Sequence, residues 1–127
     1  MPCAAHFIRY LDTLVGPYPE AREVYKARSP IHHLDGLSCP IILFQGDEDK
    51  VVPPSQAEAM YNAVKAKGLP VAYVLFKGEQ HGFRQADNIR ANVDGEFAFF
   101  CTIFGIHPAD ADSLPKLHIE NWPKPQL

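Results

Sequence analysis

Residues suited to acid–base chemistry follow two short apolar segments of this sequence. Ile41–Gln45 is followed by Gly-Asp-Glu-Asp, which ends at Asp49, and Val71–Phe76 is followed within five residues by His81. A carboxylate that accepts the Nδ1 proton of a histidine holds the ring in one tautomer and stabilises the imidazolium form, as general-base catalysis requires. The carboxyl ends of parallel strands open on the same edge of a sheet, so the two loops could bring an acid and an imidazole together.

The surrounding pattern predicts the elements that would position these residues. Ile41–Gln45 and Val71–Phe76 read as buried strands because they are short, continuous and rich in apolar side chains. Ser55 and Glu58 form a capping-box pattern that predicts a helix with Ser55 as its N-cap, and Gly68 predicts its C-cap. Strand, helix, strand and helix in this order indicate a βαβα unit with parallel strands.

The last helix is predicted from about Ala86 to Phe104. Its apolar residues at helical spacing are expected to face inward; they are Ile89, Val93, Phe97, Phe100, Cys101 and Phe104. Upstream, apolar spacing predicts a helix over Phe7–Val15 and a shorter one around Glu20–Ala27. The end of the chain has no clear period, and Trp122 is expected to hold it against the surface.

Composition limits the classes of function. The chain has 127 residues and a formal net charge of −3, so it offers no broad basic surface for nucleic acid or an anionic membrane. No apolar run approaches the ~20 residues of a membrane span. Three cysteines without a CxxC spacing favour a reducing, cytoplasmic setting. His32 and His33 have no third ligand at recognisable spacing, so we expect neither a metal nor another cofactor.

The stretch "RSPIHHLDGLSCPIILFQGDEDKVVPPSQAEAMYNAVKAKGLPVAYVLFKGEQHGF" resembles part of a known family. It is similar to the C-terminal part of the catalytic domain in serine peptidases of the prolyl oligopeptidase family, in the dipeptidyl aminopeptidase/acylaminoacyl-peptidase branch. The resemblance implies an α/β-hydrolase fold and a catalytic triad in the chain order Ser, Asp, His. It places the aspartate on Asp49, three residues after Gly46 and three before Val52, and the histidine on His81. Asp47 and Glu48 are interpreted as turn formers.

The nucleophile of that triad has no counterpart here. The four serines are Ser29, Ser38, Ser55 and Ser113, and none stands in a G-x-S-x-G motif. We therefore interpret residues 1–106 as the C-terminal portion of a peptidase catalytic domain and residues 107–127 as an extended tail. The predicted fold class is α/β, a partial α/β-hydrolase fold with the last parallel strands and flanking helices but without the nucleophile-elbow half.

This interpretation carries expectations about activity and partners. The parent reaction would be hydrolysis of peptide bonds in short peptides, with a peptide as the partner of the intact parent, and the chain alone would be inactive. Whether the chain is itself an enzyme is left open. A two-stranded parallel sheet leaves its edges unpaired, so a missing N-terminal half or an oligomer partner would have to complete it.

Two alternatives remain open from the residues themselves. The chain could be a non-catalytic α/β module that binds a partner through its exposed strand edges. It could also be a fragment of a carboxylesterase or dienelactone-hydrolase-like enzyme, because the order Asp then His is shared by the whole α/β-hydrolase fold.

Overall fold

The computed structural model describes residues 10–123, which fall into two compact units divided between Leu37 and Ser38. In the first unit residues 10–14 are helical and helix α1 spans Arg22–Arg28, two residues beyond the predicted start at Glu20 because residues 18–21 form turns. The hydroxyl of Tyr25 in α1 donates to the carbonyl of Gly16 at 3.0 Å. Two 3-10 turns follow, Pro30–His32 and Leu34–Gly36. Residues 7–9 of the predicted first helix, and Cys3, lie outside the described residues.

The second unit holds the strands and helices that the pattern predicts. They are β1 (Ile41–Gly46), α2 (Pro54–Ala66), β2 (Val71–Phe76) and α3 (Ala86–Phe104), followed by a 3-10 turn at Ala111–Ser113. Within the described residues, β1 and β2 form a two-stranded parallel sheet in which Ile41 lies opposite Val71 and Gly46 opposite Phe76. The two strands therefore end at the same edge and at the same level.

The two helices of this unit cover opposite faces of the sheet. Tyr61 of α2 contacts Tyr73 of β2, with 5.7 Å between the ring centroids. On the other face, a Cβ on Gly95 of α3 would stand 3.2 Å from the ring of Phe44 in β1. Because Phe44 pairs with Val74, one residue after Tyr73, and successive side chains of a strand point to opposite faces, the sheet is sandwiched between α2 and α3.

Helix α2 begins two residues earlier than the capping pattern predicts. Its N-cap is Pro53 and its first residue is Pro54, and Ser55 makes no side-chain cap hydrogen bond, so the predicted N-cap at Ser55 is wrong. Proline suits the first helical position because its φ is already helical and it has no N–H to leave unpaired. At the other end, Gly68 has φ +80° just after the helix, which is the left-handed closure that the sequence predicts.

The inward face of α3 differs from the prediction. Of the six residues expected inside, only Cys101 is buried; Ile89, Val93, Phe97, Phe100 and Phe104 are 44–69% exposed. The buried residues are instead Gly95, Ala98, Phe99 and Cys101. Because Gly95 has no side chain, α3 comes close to Phe44 on the face that also carries Ala98 and Phe99, and the stripe from Ile89 to Phe104 is turned away.

The segment after α3 is attached to the start of β2. Glu120 and Val71 exchange two backbone hydrogen bonds of 2.9 and 3.2 Å. The side-chain amide of Asn121 donates to the carbonyls of Lys65 and Leu69, which lie at the C-terminal end of α2. Polar contacts of Glu120 and Asn121 thus hold this segment, and the predicted role of Trp122 stays a prediction. The predicted domain boundary after residue 106 stays a prediction.

Candidate active site

Asp49 and His81, which are 32 residues apart in the sequence, meet at the carboxyl edge of the sheet. The Nδ1 atom of His81 lies 3.0 Å from Oδ2 of Asp49. With an ionised carboxylate, this distance requires Nδ1 to carry the proton, so a neutral ring has its free electron pair on Nε2. The geometry is that of an acid that orients a histidine.

The carboxylate of Asp49 is buried and receives four hydrogen bonds. Its Oδ1 accepts the backbone N–H groups of Val51 at 2.9 Å and Val52 at 2.8 Å. Its Oδ2 accepts His81 and, at 3.4 Å, the amide of Gln45. Burial alone raises the pKa of Asp49, but the hydrogen bonds from Val52, His81 and Val51 outweigh it and hold the pKa below its ordinary value. Asp49 is therefore a carboxylate at neutral pH.

His81 lies at the surface of the second unit, in contrast to its acidic partner. Its side chain is 57% exposed, against 7% for Asp49. Both residues line a cavity of about 260 Å³, together with Phe44, Gly46, Val52 and Phe83. Since Nδ1 is turned toward Asp49, Nε2 is the ring nitrogen available to a reacting group at the edge of the sheet.

The loop that follows β1 carries Asp49, and the loop that follows β2 carries His81; we call them the Asp49 loop and the His81 loop. Besides the Asp49–His81 pair itself, three contacts tie these two loops together. Asp47 accepts the backbone N–H of Gly78 at 2.7 Å, and the N–H of Glu48 donates to the carbonyl of Glu79 at 2.9 Å. The third is the close approach of Gly46, where a Cβ would lie 2.4 Å from the Glu79 carbonyl oxygen. Asp47 thus bridges two loops, which goes beyond the turn-forming role that the sequence predicts for it.

Sequence reasoning missed two polar residues that support the site. Gln45 is 6% exposed, and its amide donates to the carbonyls of Gly46 and Val52 as well as to Asp49. Glu79 is 1% exposed and accepts backbone N–H groups just before α3. Neither residue stands out in the sequence, where Gln45 ends an apolar run and Glu79 reads as a polar loop residue.

Two further observations concern membranes and metals. Among residues 10–123, no helix combines the length and apolar character needed to cross a bilayer. In the same residues, no three His, Cys, Asp or Glu side chains cluster as they would around a metal ion. His32 belongs to the first unit, where it helps to line a surface cavity of about 360 Å³ with Arg22 and Tyr25.

A parallel sheet between two helices, with an acid and a histidine at its carboxyl edge, defines a class of fold. It is the last part of an α/β-hydrolase fold, and solved structures bear this out. The chain matches the crystal structure of puromycin hydrolase with a TM-score of 0.76 and 38% sequence identity, over 87% of this chain and 16% of that one. The predicted fold class, a partial α/β-hydrolase fold, is confirmed.

The family follows from the sequence comparisons. The model of the prolyl oligopeptidase family matches residues 7–107, and the chain belongs to this family. It is 38% identical to dipeptidyl aminopeptidase BIII of Pseudoxanthomonas mexicana over 64 residues, and this match covers 50% of this chain and 9% of that enzyme. It is 28% identical over 111 residues to esterase LipQ of Mycobacterium tuberculosis, over 83% of this chain and 24% of the esterase. The chain thus spans a small fraction of each relative, and the predicted family is confirmed.

Proposed function

We propose that Asp49 and His81 are the acid and the base of a Ser–Asp–His triad in a serine-type peptidase. The observation that supports this most directly is the 3.0 Å contact between a buried carboxylate and an exposed imidazole at the ends of two adjacent parallel strands. Membership of the prolyl oligopeptidase family supports the peptidase class. The resemblance described in the sequence analysis implies the same two positions for the acid and the base.

The proposed chemistry assigns one role to each residue. Nε2 of His81 takes the proton of a serine hydroxyl while the serine oxygen bonds to the carbonyl carbon of a peptide. The imidazolium then donates that proton to the leaving amine as the C–N bond breaks, and a water molecule, activated in the same way, hydrolyses the acyl-enzyme. Asp49 keeps the proton on Nδ1 and stabilises the positive charge of the ring at each step.

We further propose that the nucleophile comes from residues outside this chain, and that the chain by itself does not hydrolyse peptides. Its four serines stand outside any G-x-S-x-G motif, and it covers only 16% of the puromycin hydrolase chain. The intact parent would act on amide bonds of short peptides. We place it in the cytoplasm, which the free thiols of Cys39 and Cys101 support.

An esterase is the second candidate, and one observation favours it. The match to esterase LipQ covers 83% of this chain, a larger share than the match to dipeptidyl aminopeptidase BIII. Ester hydrolysis would use the same acid and base, since only the leaving group differs. Relative rates on matched amide and ester substrates therefore distinguish the two proposals.

The direct test is a chimera in which this chain replaces the matched segment of puromycin hydrolase. We expect it to hydrolyse a peptide amide, and Asp49→Asn or His81→Ala to lower kcat by about 10⁴-fold or more. Glu48→Gln is the matched control, because it changes a neighbouring carboxylate whose side chain is exposed. An active chimera that keeps its rate after Asp49→Asn would refute the assignment, and much faster ester than amide hydrolysis would favour the esterase.

The 127-residue chain itself should not react with a serine-directed fluorophosphonate. Intact-protein mass spectrometry measures the added mass, and an intact serine peptidase serves as the positive control. Stoichiometric labelling of any of the four serines would show that the chain carries its own nucleophile and would contradict the proposal.

A further inference from the structure

Glu79 is a buried carboxylate that the proposed chemistry does not use. It is 1% exposed, which makes it the largest fully buried side chain of the described residues, and it lies two residues before His81. A buried charge is costly unless several donors compensate for it. The surroundings of Glu79 supply these donors from the chain that leads into α3.

The side chain of Glu79 accepts three hydrogen bonds. Oε2 accepts the backbone N–H of Arg84 at 2.9 Å, and Oε1 accepts the backbone N–H of Gln85 at 2.9 Å. Oε1 also accepts the side-chain amide of Asn88 at 3.0 Å. The carboxylate thus fixes the His81 loop to the two residues that lead into α3 and to the side chain of Asn88 in the first turn of this helix.

The backbone of the same residue holds the opposite loop. The carbonyl of Glu79 accepts the N–H of Glu48, and a Cβ on Gly46 would collide with this carbonyl. The residue therefore contacts α3 through its side chain and the Asp49 loop through its main chain. The positions of both loops, and therefore of Asp49 and His81, depend on the position of this one residue.

We propose that Glu79 is a positioning residue for His81: its carboxylate anchors the loop that holds the imidazole against Asp49. This inference rests on the proposed function, because it assumes that the Asp49–His81 contact is the working one. Glu79 acts through the loop and does not touch a substrate. Its effect is therefore on the geometry of the dyad.

The charge of Glu79 is part of the anchor. Burial raises the pKa of Glu79, but hydrogen bonds from the Arg84 N–H, the Asn88 amide and the Gln85 N–H outweigh it and lower the pKa overall. In Glu79→Gln an NH₂ group replaces one of the two oxygens and faces an N–H donor, so at least one backbone N–H loses its acceptor.

The test measures which ring nitrogen of His81 carries the proton in the ¹⁵N-labelled 127-residue chain. Long-range ¹H–¹⁵N correlation spectra report this at a pH of about 8, where imidazole is ordinarily neutral. His81→Ala identifies the signals. We expect one tautomer with the proton on Nδ1 in the unmodified chain, a mixture of tautomers in Glu79→Gln, and a smaller change in the same direction in Asn88→Ala.

Glu120→Gln is the matched control, because it neutralises another hydrogen-bonded carboxylate of this unit at the opposite end of β2. Loss of stability alone should leave the His81 tautomer as it is, so Glu120→Gln should retain the Nδ1–H form. A Glu79→Gln chain that is folded by circular dichroism and retains the unmodified tautomer would overturn the inference. If Glu79→Gln unfolds, Asn88→Ala decides: an unchanged tautomer there also overturns it.

The same measurements distinguish a failure of the proposed function from a failure of the inference about Glu79. Mixed tautomers in the unmodified chain would contradict the Asp49–His81 dyad itself, before any variant is compared. In the puromycin hydrolase chimera, Glu79→Gln should lower kcat by about 10- to 100-fold with little change in KM, because substrate contacts are untouched. A chimera in which only KM changes would show that Glu79 does not position the base.

Discussion

Replacing Gly46 by alanine should force apart the two loops that carry Asp49 and His81. The added Cβ would lie 2.4 Å from the carbonyl oxygen of Glu79 and 2.7 Å from that of Gln80. Ordinary contact begins at 3.4 Å, so the loops must separate by about 1 Å. The obstructing atoms belong to the backbone, and no side chain can rotate away to make room.

The expected loss of stability follows from the hydrogen bonds that such a separation breaks. The Glu48 N–Glu79 O hydrogen bond of 2.9 Å would lengthen to about 3.9 Å, beyond hydrogen-bond range, and the Gly78 N–Asp47 bond would be lost with it. Two such bonds contribute about 1 kcal/mol each, and the remaining strain adds about 1–3 kcal/mol. We expect the free energy of unfolding to fall by at least about 3 kcal/mol.

Urea unfolding measures this change, followed by far-UV circular dichroism and by the fluorescence of Trp122, the sole tryptophan. Gly68→Ala is the control within the same unit: its φ is +80°, but nothing lies within 4 Å of the added Cβ. The control isolates backbone strain and should cost about 1 kcal/mol. If Gly46→Ala costs no more than Gly68→Ala, the close approach of the two loops is not what the structure shows.

Two further predictions concern other parts of the second unit. Hydrogen bonds from Lys65 and His118 lower the pKa of Glu120 from 4.5 to about 2, so its contribution to stability is present above pH 4.5 and is lost as the pH falls toward 2. Glu120→Gln should flatten the acid branch of a plot of Tm against pH, and an unchanged acid branch would contradict the role of this carboxylate. On α3, Phe99→Ala should cost about 3–5 kcal/mol because Phe99 is 3% exposed, whereas Phe104→Ala should change stability by less than about 1 kcal/mol because Phe104 is 69% exposed. Urea unfolding of the two variants measures both changes. Equal losses of unfolding free energy would show that the stripe from Ile89 to Phe104 is also packed against the rest of the protein.

Local signals in the sequence were sufficient for most of the second unit. The bounds of β2 and α3 follow the prediction, and β1 runs one residue past its predicted end at Gln45, because apolar runs and closing glycines act within a few residues of where they stand. The start of α2 was missed by two residues, since the pattern of Ser55 and Glu58 competed with a proline already suited to the first helical position.

The face of α3 that points inward could not be predicted from periodicity. This helix is apolar on two opposite sides, with the bulky stripe from Ile89 to Phe104 on one and Gly95, Ala98 and Phe99 on the other. Hydrophobicity favours the larger stripe, but α3 approaches Phe44 of β1 at Gly95, where an added Cβ would stand only 3.2 Å from the ring. The neighbouring strand decides which face of α3 points inward, and the sequence of the helix alone does not say which strand that is.

The sequence by itself placed acids and a histidine at one edge of a parallel sheet, because Asp49 and His81 follow strands whose ends must share that edge, and the family resemblance singled out Asp49 among the three acids. The sequence does not predict which contacts hold Asp49 and His81 together. The hydrogen bonds from the Gly78 N–H to Asp47 and from the Glu48 N–H to the Glu79 carbonyl, together with the close approach of Gly46 to Glu79, join loops that are about 30 residues apart in the chain. They exist only once β1 and β2 lie side by side. Only the tertiary structure decides such contacts, because the partner of a buried polar group is set by distance in space.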